Sequence, residues 1–372
     1  MNDELKINPT ILKWARDECG YSKTEIANKV HVDLQKYSIW EDTGTNLNLN
    51  ELIALSKVYK RQIAFFFLPF VPKKTKKPTD YRNLEPMQAK LSNKTLLAIR
   101  RTVKFREFIL GLHSPEYFES KYLWLSQYQN SFSNLPSDSD DNVFWVRNLL
   151  NFPIHEQLES RLTAENSYKR WRNSIEQNLG IYVFQFAMPK GEVQGFSYSD
   201  SAPYCITINN AYPATSRTFT LFHELSHILK NQSGLCNPND TIIKLQDTSI
   251  EFDCNSFAGS LLVPSNEVTP AKDKETILKY AHKFNISSEV YLRRLFSLGH
   301  VTEAEFFNLL YEIRRSVIPT QPHYSKSQVN KSINSRGRAL FDSTIHAVNH
   351  GRVSYSLASD ILGLKINYFA GL

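Results

Sequence analysis

The hydrophobic pattern of the chain is helical over most of its length. Between residues 80 and 180, apolar residues recur at intervals of three or four positions, which predicts helices over 96–108, 143–150 and 168–179. Charged side chains occupy the other faces of the first of these helices. The sequence therefore predicts a mostly helical protein, in which this segment packs against a larger domain.

The C-terminal third of the chain continues the helical pattern. Apolar spacing predicts a helix over 277–284 and a second helix that Ser287 caps. We interpret this pair as structural, with nucleic-acid contact by Arg293 and Arg294 as the alternative. Residues 336–372 have the pattern of two or three short helices, which would either guard a cleft or bind a partner.

The N-terminal segment predicts two short helices joined by a tight turn. Ser22 is a helix N-cap residue, and Glu25 three positions later completes a capping box. Asp33 caps the following helix, which leaves residues 30–32 as the turn between the two helices. This arrangement is typical of a helix-turn-helix.

Residues 9–67 resemble an Xre-type DNA-binding domain, including the pair Trp40-Glu41 followed by Gly44. The resemblance implies a five-helix domain in which the second helix of the helix-turn-helix enters the major groove. Glutamine pairs there with adenine, and lysine pairs with guanine or phosphate. The alternative is an interaction or dimerisation module, because Leu34 cannot read bases. The candidate DNA-binding residues are Lys23, Gln35, Lys36 and Tyr37.

The most specific chemical signal is the motif His223-Glu224-Leu225-Ser226-His227. Residues four positions apart share a helix face, so His223 and His227 can each present an imidazole nitrogen to one zinc ion. Glu224 lies beside them and can act as the general base that takes a proton from water. The alternative is a buried helix whose histidines bond to neighbouring backbone.

A third ligand is expected in the second buried segment, residues 250–264, because a catalytic zinc site takes three protein ligands and keeps one position open. Glu251 and Asn255 are four positions apart and share a helix face. We therefore expect Glu251 to be the third ligand and Asn255 to orient a ligand histidine. Asp253 points about half a turn away and ranks below Glu251, and Cys254 is interpreted as packing.

These motifs, in this order, resemble the ImmA/IrrE family of zinc metallopeptidases over roughly residues 165–310. Two separate signatures carry the resemblance: the His223 motif and the block 251–264, which ends in Leu-Leu-x-Pro. One departure is Cys254, where the family usually has alanine, and this change leaves the ligand set intact. The segments that look like the family's strands and the lead into its active helix are 180–184, 195–197, 205–209 and 217–222.

The family resemblance implies both a fold and an activity. The fold is a zincin-like peptidase domain with a small sheet and an HExxH helix, within an α+β chain that is mostly helical. His223, His227 and Glu251 would bind zinc, and Glu224 would be the general base. The expected substrate is a cognate helix-turn-helix transcriptional repressor, whose cleavage induces stress, mobile-element or phage-defence genes.

Composition sets few further limits. The chain has 372 residues, a net charge of +7 and a sequence pI near 9.0, which favours an anionic partner such as DNA without requiring one. Its four cysteines have no paired spacing, so neither a disulfide framework nor a cysteine zinc site is expected. The sequence shows no signal peptide and no membrane-spanning run, and we therefore expect a cytoplasmic protein.

The expected organisation is a helix-turn-helix domain (1–72), a helical linker region (73–164), a zinc metallopeptidase domain (165–315) and a helical C-terminal tail (316–372). The basic run 73–78 and the polar stretch 316–335 are predicted to be exposed linkers. The expected function is a zinc-dependent regulatory endopeptidase. The sequence does not decide whether it is a monomer or a homodimer. The alternatives are a DNA-binding transcription regulator whose zinc is structural or sensory, and a peptidase that nucleic acid activates.

Overall fold

The computed structural model describes residues 5–73, 78, 91–132, 135–159, 162–231, 235–236, 250–315 and 327–371. The chain divides into two compact units. The first comprises residues 1–77 and 86–103, and the second comprises residues 78–85 and 104–372. Residues 74–77 of the linker predicted at 73–78 and the whole segment 316–326 lie outside the described residues.

The first unit is built from short, individually capped helices. The hydroxyl of Ser22 accepts a hydrogen bond from the backbone of Glu25 at 3.2 Å, and the carboxylate of Glu25 accepts one from the backbone of Ser22 at 2.7 Å, which confirms the predicted capping box. Asp33 caps the next helix as predicted, by accepting from the backbone of Lys36 at 2.7 Å. Between residues 9 and 67, four α-helices and one 3-10 helix stand where five helices were expected. The elements are α1 Pro9–Cys19, α2 Lys23–Val30, α3 Leu34–Thr43, α4 Leu49–Tyr59, the 3-10 helix Ile63–Phe67, and α5 Asn93–Leu112, which continues into the second unit.

Along the chain, the second unit has helices before and after the strands of a small sheet. None of the helices in the described ranges is long and apolar enough to cross a membrane. Before the sheet come α6 Pro115–Lys121, α7 Leu123–Phe132, α8 Asp140–Leu150, α9 Ile154–Gln157 and α10 Ala164–Ser174, which runs into a π-helical turn at Ile175–Leu179. From the sheet onward come α11 Ala214–Leu229, α12 Ile250–Leu262, α13 Lys274–Lys283, α14 Ser288–Ser297, α15 Glu303–Arg315, α16 Gln328–Arg336, α17 Arg338–Asn349 and α18 Tyr355–Leu362, with 3-10 helices at Ser265–Glu267 and Ile366–Gly371.

The described residues form one sheet of four strands in the order β1-β3-β2-β4. Strand β1 runs parallel to β3, whereas β2 runs antiparallel to both β3 and β4. Strands β1, β2 and β3 are buried throughout, so their polar residues are buried along with the apolar ones; these are Gln185, Ser197, Thr207 and Asn209. Helix α11 covers β2 and β3, and α12 packs on α11, so the predicted mostly helical α+β fold is confirmed. The strands are β1 Tyr182–Phe186, β2 Gly195–Tyr198, β3 Cys205–Asn209 and β4 Leu235–Cys236.

Buried polar side chains hold the C-terminal end of α12. The last carbonyl groups of a helix have no partner within the helix itself. Arg147 Nη1 donates to the carbonyl of Leu261 at 2.6 Å, and Gln157 Nε2 donates to the carbonyl of the following residue at 2.9 Å. Arg294 Nε donates to the carbonyl of Val263 at 3.0 Å. Three elements of the second unit thereby fix where α12 ends.

Arg293 and Arg294 serve helix packing, as the structural interpretation expected. Arg294 is only 5% exposed and is bonded to the main chain. Arg293 pairs with Glu289 one turn earlier at 2.6 Å, and Arg314 pairs with the same carboxylate at 3.0 Å. These contacts leave the nucleic-acid alternative for the two arginines without support.

Helix α16 lies where a linker was predicted over 316–335, so that prediction is wrong for residues 328–335. The helix begins after Ser327, whose hydroxyl accepts from the backbone of Asn330 at 3.5 Å. It packs along β1, and this tertiary contact decides its structure despite its polar composition. Helices α17 and α18 follow, in agreement with the short helices predicted for the C-terminal segment.

Replacing Arg294 by methionine is expected to lower the free energy of unfolding by about 2–3 kcal/mol, because the buried carbonyl of Val263 loses its donor. Urea unfolding at neutral pH measures this loss. The matched control is Arg293→Met, which removes a partly exposed ion pair and should cost less than about 1 kcal/mol. Equal losses in the two variants would contradict the capping role of Arg294.

Candidate metal centre

Helices α11 and α12 bring three side-chain donors together in the interior of the second unit. His223 and His227 lie one turn apart on α11, both are buried, and their Nε2 atoms are 3.2 Å apart. Glu251, in the first turn of α12, places its carboxylate oxygens 3.1 Å from Nε2 of His223 and 3.4 Å from Nε2 of His227. Within the described residues, these three side chains form the one group that could hold a metal ion.

The spacing and chemistry of these donors fit zinc. In a tetrahedral site with bonds of about 2.0–2.1 Å to nitrogen and oxygen, the ligand atoms are about 3.3 Å apart. The two Nε2 atoms are 3.2 Å apart, and each lies 3.1–3.4 Å from one of the two carboxylate oxygens of Glu251, which is close to this value. Two imidazoles and a carboxylate are also a ligand set of catalytic zinc sites, which keep a fourth position for water or substrate.

Asn255 determines which nitrogen of His223 carries the proton. Its Oδ1 atom lies 2.9 Å from Nδ1 of His223. Because this oxygen can only accept a hydrogen bond, Nδ1 carries the hydrogen and Nε2, which faces the other donors, keeps its lone pair. Burial, together with the proximity of His223, lowers the pKa of His227 to about 3, so His227 is also neutral near pH 7, the state that binds metal.

Glu224 is a buried acid next to the three donors. Its side chain is fully buried on α11, on the side of β2 where Ser197 lies. Burial raises the pKa of Glu224 to about 8, while the neighbouring His223 ring and the Ser197 hydroxyl act against this shift and Glu251 adds to it. A carboxyl group that titrates near neutral pH can both accept and donate a proton during a reaction.

Gly195 allows β2 to approach the helix that carries these residues. A Cβ atom at this position would lie 2.7 Å from Cγ2 of Thr220 and 3.0 Å from the carbonyl oxygen of Thr207. It would also lie 3.4 Å from Cγ of Glu224, so a side chain here would push β2 away from α11. This role was not predicted from the sequence, although a glycine at the start of an apolar strand signals close backbone approach.

Arg217 braces the beginning of α11. Its Nε atom donates to the carbonyl of Tyr212 at 3.1 Å, and its Nη1 atom donates to Oε1 of Gln185 at 2.8 Å. Its guanidinium also pairs with Glu165 and lies over the ring of Tyr168, 4.4 Å from the centroid. The orientation of α11 is therefore tied to α10 and β1.

The segment that carries this centre also matches a known family. Residues 176–296 match the family model of the IrrE N-terminal-like domain, Peptidase_M78. This segment is therefore similar to the M78 peptidases. The match confirms the resemblance to the ImmA/IrrE family, spans about a third of the chain and contains all four strands together with α11 and α12. No curated protein and no solved structure matches the chain.

Two neighbours of Glu251 in the matched segment lie outside the group of donors. Asp253 is exposed and pairs at 2.9 Å with Lys230, the residue that follows α11, in line with its lower rank as a ligand. Cys254 is buried, and burial raises the pKa of its thiol to about 11. A protonated thiol is a poor metal ligand, which agrees with its interpretation as packing.

Tyr37, one of the candidates for DNA contact, is a core residue of the first unit. Its side chain is fully buried, and its hydroxyl lies 2.7 Å from both the carboxylate of Glu41 and the hydroxyl of Tyr59. Its interpretation as a DNA-binding residue is therefore wrong. The sequence of one helix could not show this, because neighbouring helices decide which face of α3 is covered.

The other N-terminal candidates are at least partly accessible. Gln35 is exposed on α3. Lys36 is half-buried, with Nζ 2.5 Å from a carboxylate oxygen of Glu51, and Nζ of Lys23 lies 3.7 Å from a carboxylate oxygen of Glu41. Both lysines therefore have acidic neighbours within the unit.

In the zinc-free protein, Glu224→Gln is expected to increase stability above neutral pH. The pKa of Glu224 is raised from an ordinary value of 4.5 to about 8, so the folded state keeps a proton that the unfolded state loses as the pH rises through this window. Glutamine removes this cost and should add about 1–3 kcal/mol to the free energy of unfolding at pH 8, with little effect at pH 5. Urea unfolding with a chelator present measures both values, and a pH-independent difference would contradict the raised pKa.

Proposed function

We propose that this protein is a zinc-dependent endopeptidase. The observation that carries the proposal is the convergence of two imidazole nitrogens and one carboxylate, with the buried Glu224 beside them, inside an M78 domain. A structural or sensory zinc site does not need a buried acid of this kind, whereas a zinc peptidase needs a general base. The acid therefore favours the peptidase over the regulator with a purely structural zinc.

His223, His227 and Glu251 would hold the zinc ion, which supplies a Lewis acid for the scissile carbonyl. Glu224 would carry the proton, accepting it from the attacking water and donating it to the leaving amine. Its position suits both steps, because the buried carboxyl group lies beside the three donors that would hold the ion. Asn255 would keep His223 in the tautomer whose Nε2 is free to coordinate.

We further propose that the substrate is a cognate helix-turn-helix repressor. Support comes from the resemblance of residues 9–67 to an Xre-type domain and from the short capped helices α1–α4 of the first unit. A regulator-binding or DNA-binding unit on the same chain would bring the peptidase to one dedicated substrate. Cleavage would then induce genes for stress response, mobile elements or phage defence.

The variant Glu224→Gln tests the peptidase proposal. It should keep its zinc, because Glu224 is not one of the three donors, and it should reduce cleavage by at least about 100-fold, because the general base is lost. Zinc is measured on the purified protein, and cleavage is followed by immunoblotting after co-expression with a helix-turn-helix repressor that the wild-type protein cleaves. Loss of the repressor and gene induction that persist in this variant would contradict the proposal.

Two variants in α12 provide the matched comparison. Glu251→Ala should lose both zinc and cleavage, because it removes one of three donors. Asp253→Asn changes the exposed acid two residues later and should retain both. Equal behaviour of the two variants would show that Glu251 has no special role.

Contact with DNA is the second part of the proposal, and Gln35 is the exposed side chain on α3 that would read a base. In a gel shift with the full chain, Gln35→Ala should weaken specific binding by about tenfold. The salt dependence should be shallow, because Lys23 and Lys36 already lie beside acidic groups. An absence of binding even at low salt would exclude a DNA-binding role for the first unit.

A further inference from the structure

The C-terminal helices lie outside the segment that matches the peptidase family, yet they pack on its sheet. Strand β1 is at one end of the sheet order among the described strands. Helix α16 runs along β1, and α17 contacts both β1 and the π-helical turn Ile175–Leu179. The sequence predicted this segment as a tail that guards a cleft or binds a partner, but its contacts are with the peptidase fold itself.

A buried carboxylate anchors the start of α17. Glu176, in the π-helical turn, accepts from the backbone N–H of Arg338 at 2.9 Å and from the backbone N–H of Val183 at 3.2 Å. Negative charge is favourable at a helix N-terminus, where N–H groups lack partners within the helix. Gly337 has a φ of 85°, and a Cβ atom there would lie 2.0 Å from Oε1 of Glu176. A residue without a side chain is therefore required for this docking.

The carbonyl of Asn334, near the end of α16, is the second anchor. It accepts from Nη1 of Arg172 at 2.7 Å and from Nε2 of Gln185 at 2.9 Å. Gln185 is on β1 and only 7% exposed. The other end of its amide, Oε1, accepts from Nη1 of Arg217 at 2.8 Å. One side chain thus bonds the C-terminal segment on one side and the metal-site helix on the other.

Arg217 connects Gln185 to the helix that carries the two histidines of the metal centre. It lies in the first turn of α11, six residues before His223, and it also bonds to the carbonyl of Tyr212 just before the helix. A helix is stiff over this distance, so a change in the tilt of its first turn displaces the two histidines relative to Glu251, which is on a different helix. Metal ligands tolerate such displacements poorly, since affinity depends on the groups that orient them.

We propose that residues 327–371 complete the peptidase fold and that Gln185 is a positioning residue, which couples Asn334 of this segment to Arg217 at the start of α11. Zinc affinity is a relevant readout only if the proposed function is correct, so this part of the inference rests on it. The coupling between α16 and α11 does not depend on the proposed function.

Three variants of the full-length protein test the coupling. Gln185→Leu removes both amide contacts at similar volume, Gly337→Val undocks the start of α17, and the double variant combines them. In both single variants, hydrogen exchange over residues 214–222 should become faster. Chelator competition should show that the zinc dissociation constant rises by about tenfold. Hydrogen exchange over residues 214–222 should be no faster in the double variant than in the more affected single variant. The reason is that both substitutions act through the contacts of Gln185. Asp360→Asn is the matched control, since it removes the exposed ion pair of Lys104 with α18 and leaves Asn334 untouched.

The outcomes separate the two proposals. Faster exchange over residues 328–349 in Gly337→Val with unchanged exchange over 214–222 would overturn the coupling, as would unchanged exchange and zinc affinity in Gln185→Leu. Additive effects in the double variant would also overturn it. If Gly337→Val does not fold, Gln185→Leu still decides. A wild-type protein that binds no zinc would refute the proposed function, while the exchange data would still judge Gln185.

Discussion

Three donor atoms that face one another in a dry interior set the main constraint on this structure. The Nε2 atoms of His223 and His227 and the carboxylate of Glu251 lie within 3.1–3.4 Å of each other. Electron-rich atoms at this spacing repel one another and lose their hydration when buried, so the arrangement is unfavourable unless a cation joins them. The surrounding fold has to hold two separate helices in fixed relation for such a centre to form.

The fold meets this constraint with polar side chains at helix ends, where unpaired backbone groups offer directional contacts. Arg217 fixes the start of α11, and buried side chains of three other elements fix the end of α12. Gly195 brings β2 against α11 with no intervening side chain. Each of these contacts restrains α11 or α12, the two helices that carry the metal donors and Glu224.

The sequence predicted the parts of the centre that follow from the helical period. Spacings of four residues place His223 with His227, and Glu251 with Asn255, before anything is known of the packing. The rest depends on contacts between distant segments. Tyr37 could not be assigned to the core from one helix alone, and the polar helix α16 resembled a linker because its partner, β1, lies about 150 residues earlier in the chain.

We propose that these buried donors bind zinc through nitrogen and oxygen alone. X-ray absorption spectroscopy of the purified, zinc-loaded protein tests this most directly, because it reports the ligand elements and their distances. We expect nitrogen and oxygen ligands at about 2.0–2.1 Å from the zinc, including two imidazoles, and we expect this signal to be lost in His223→Ala. A sulfur ligand at about 2.3 Å, or zinc retained in that variant, would contradict the proposal.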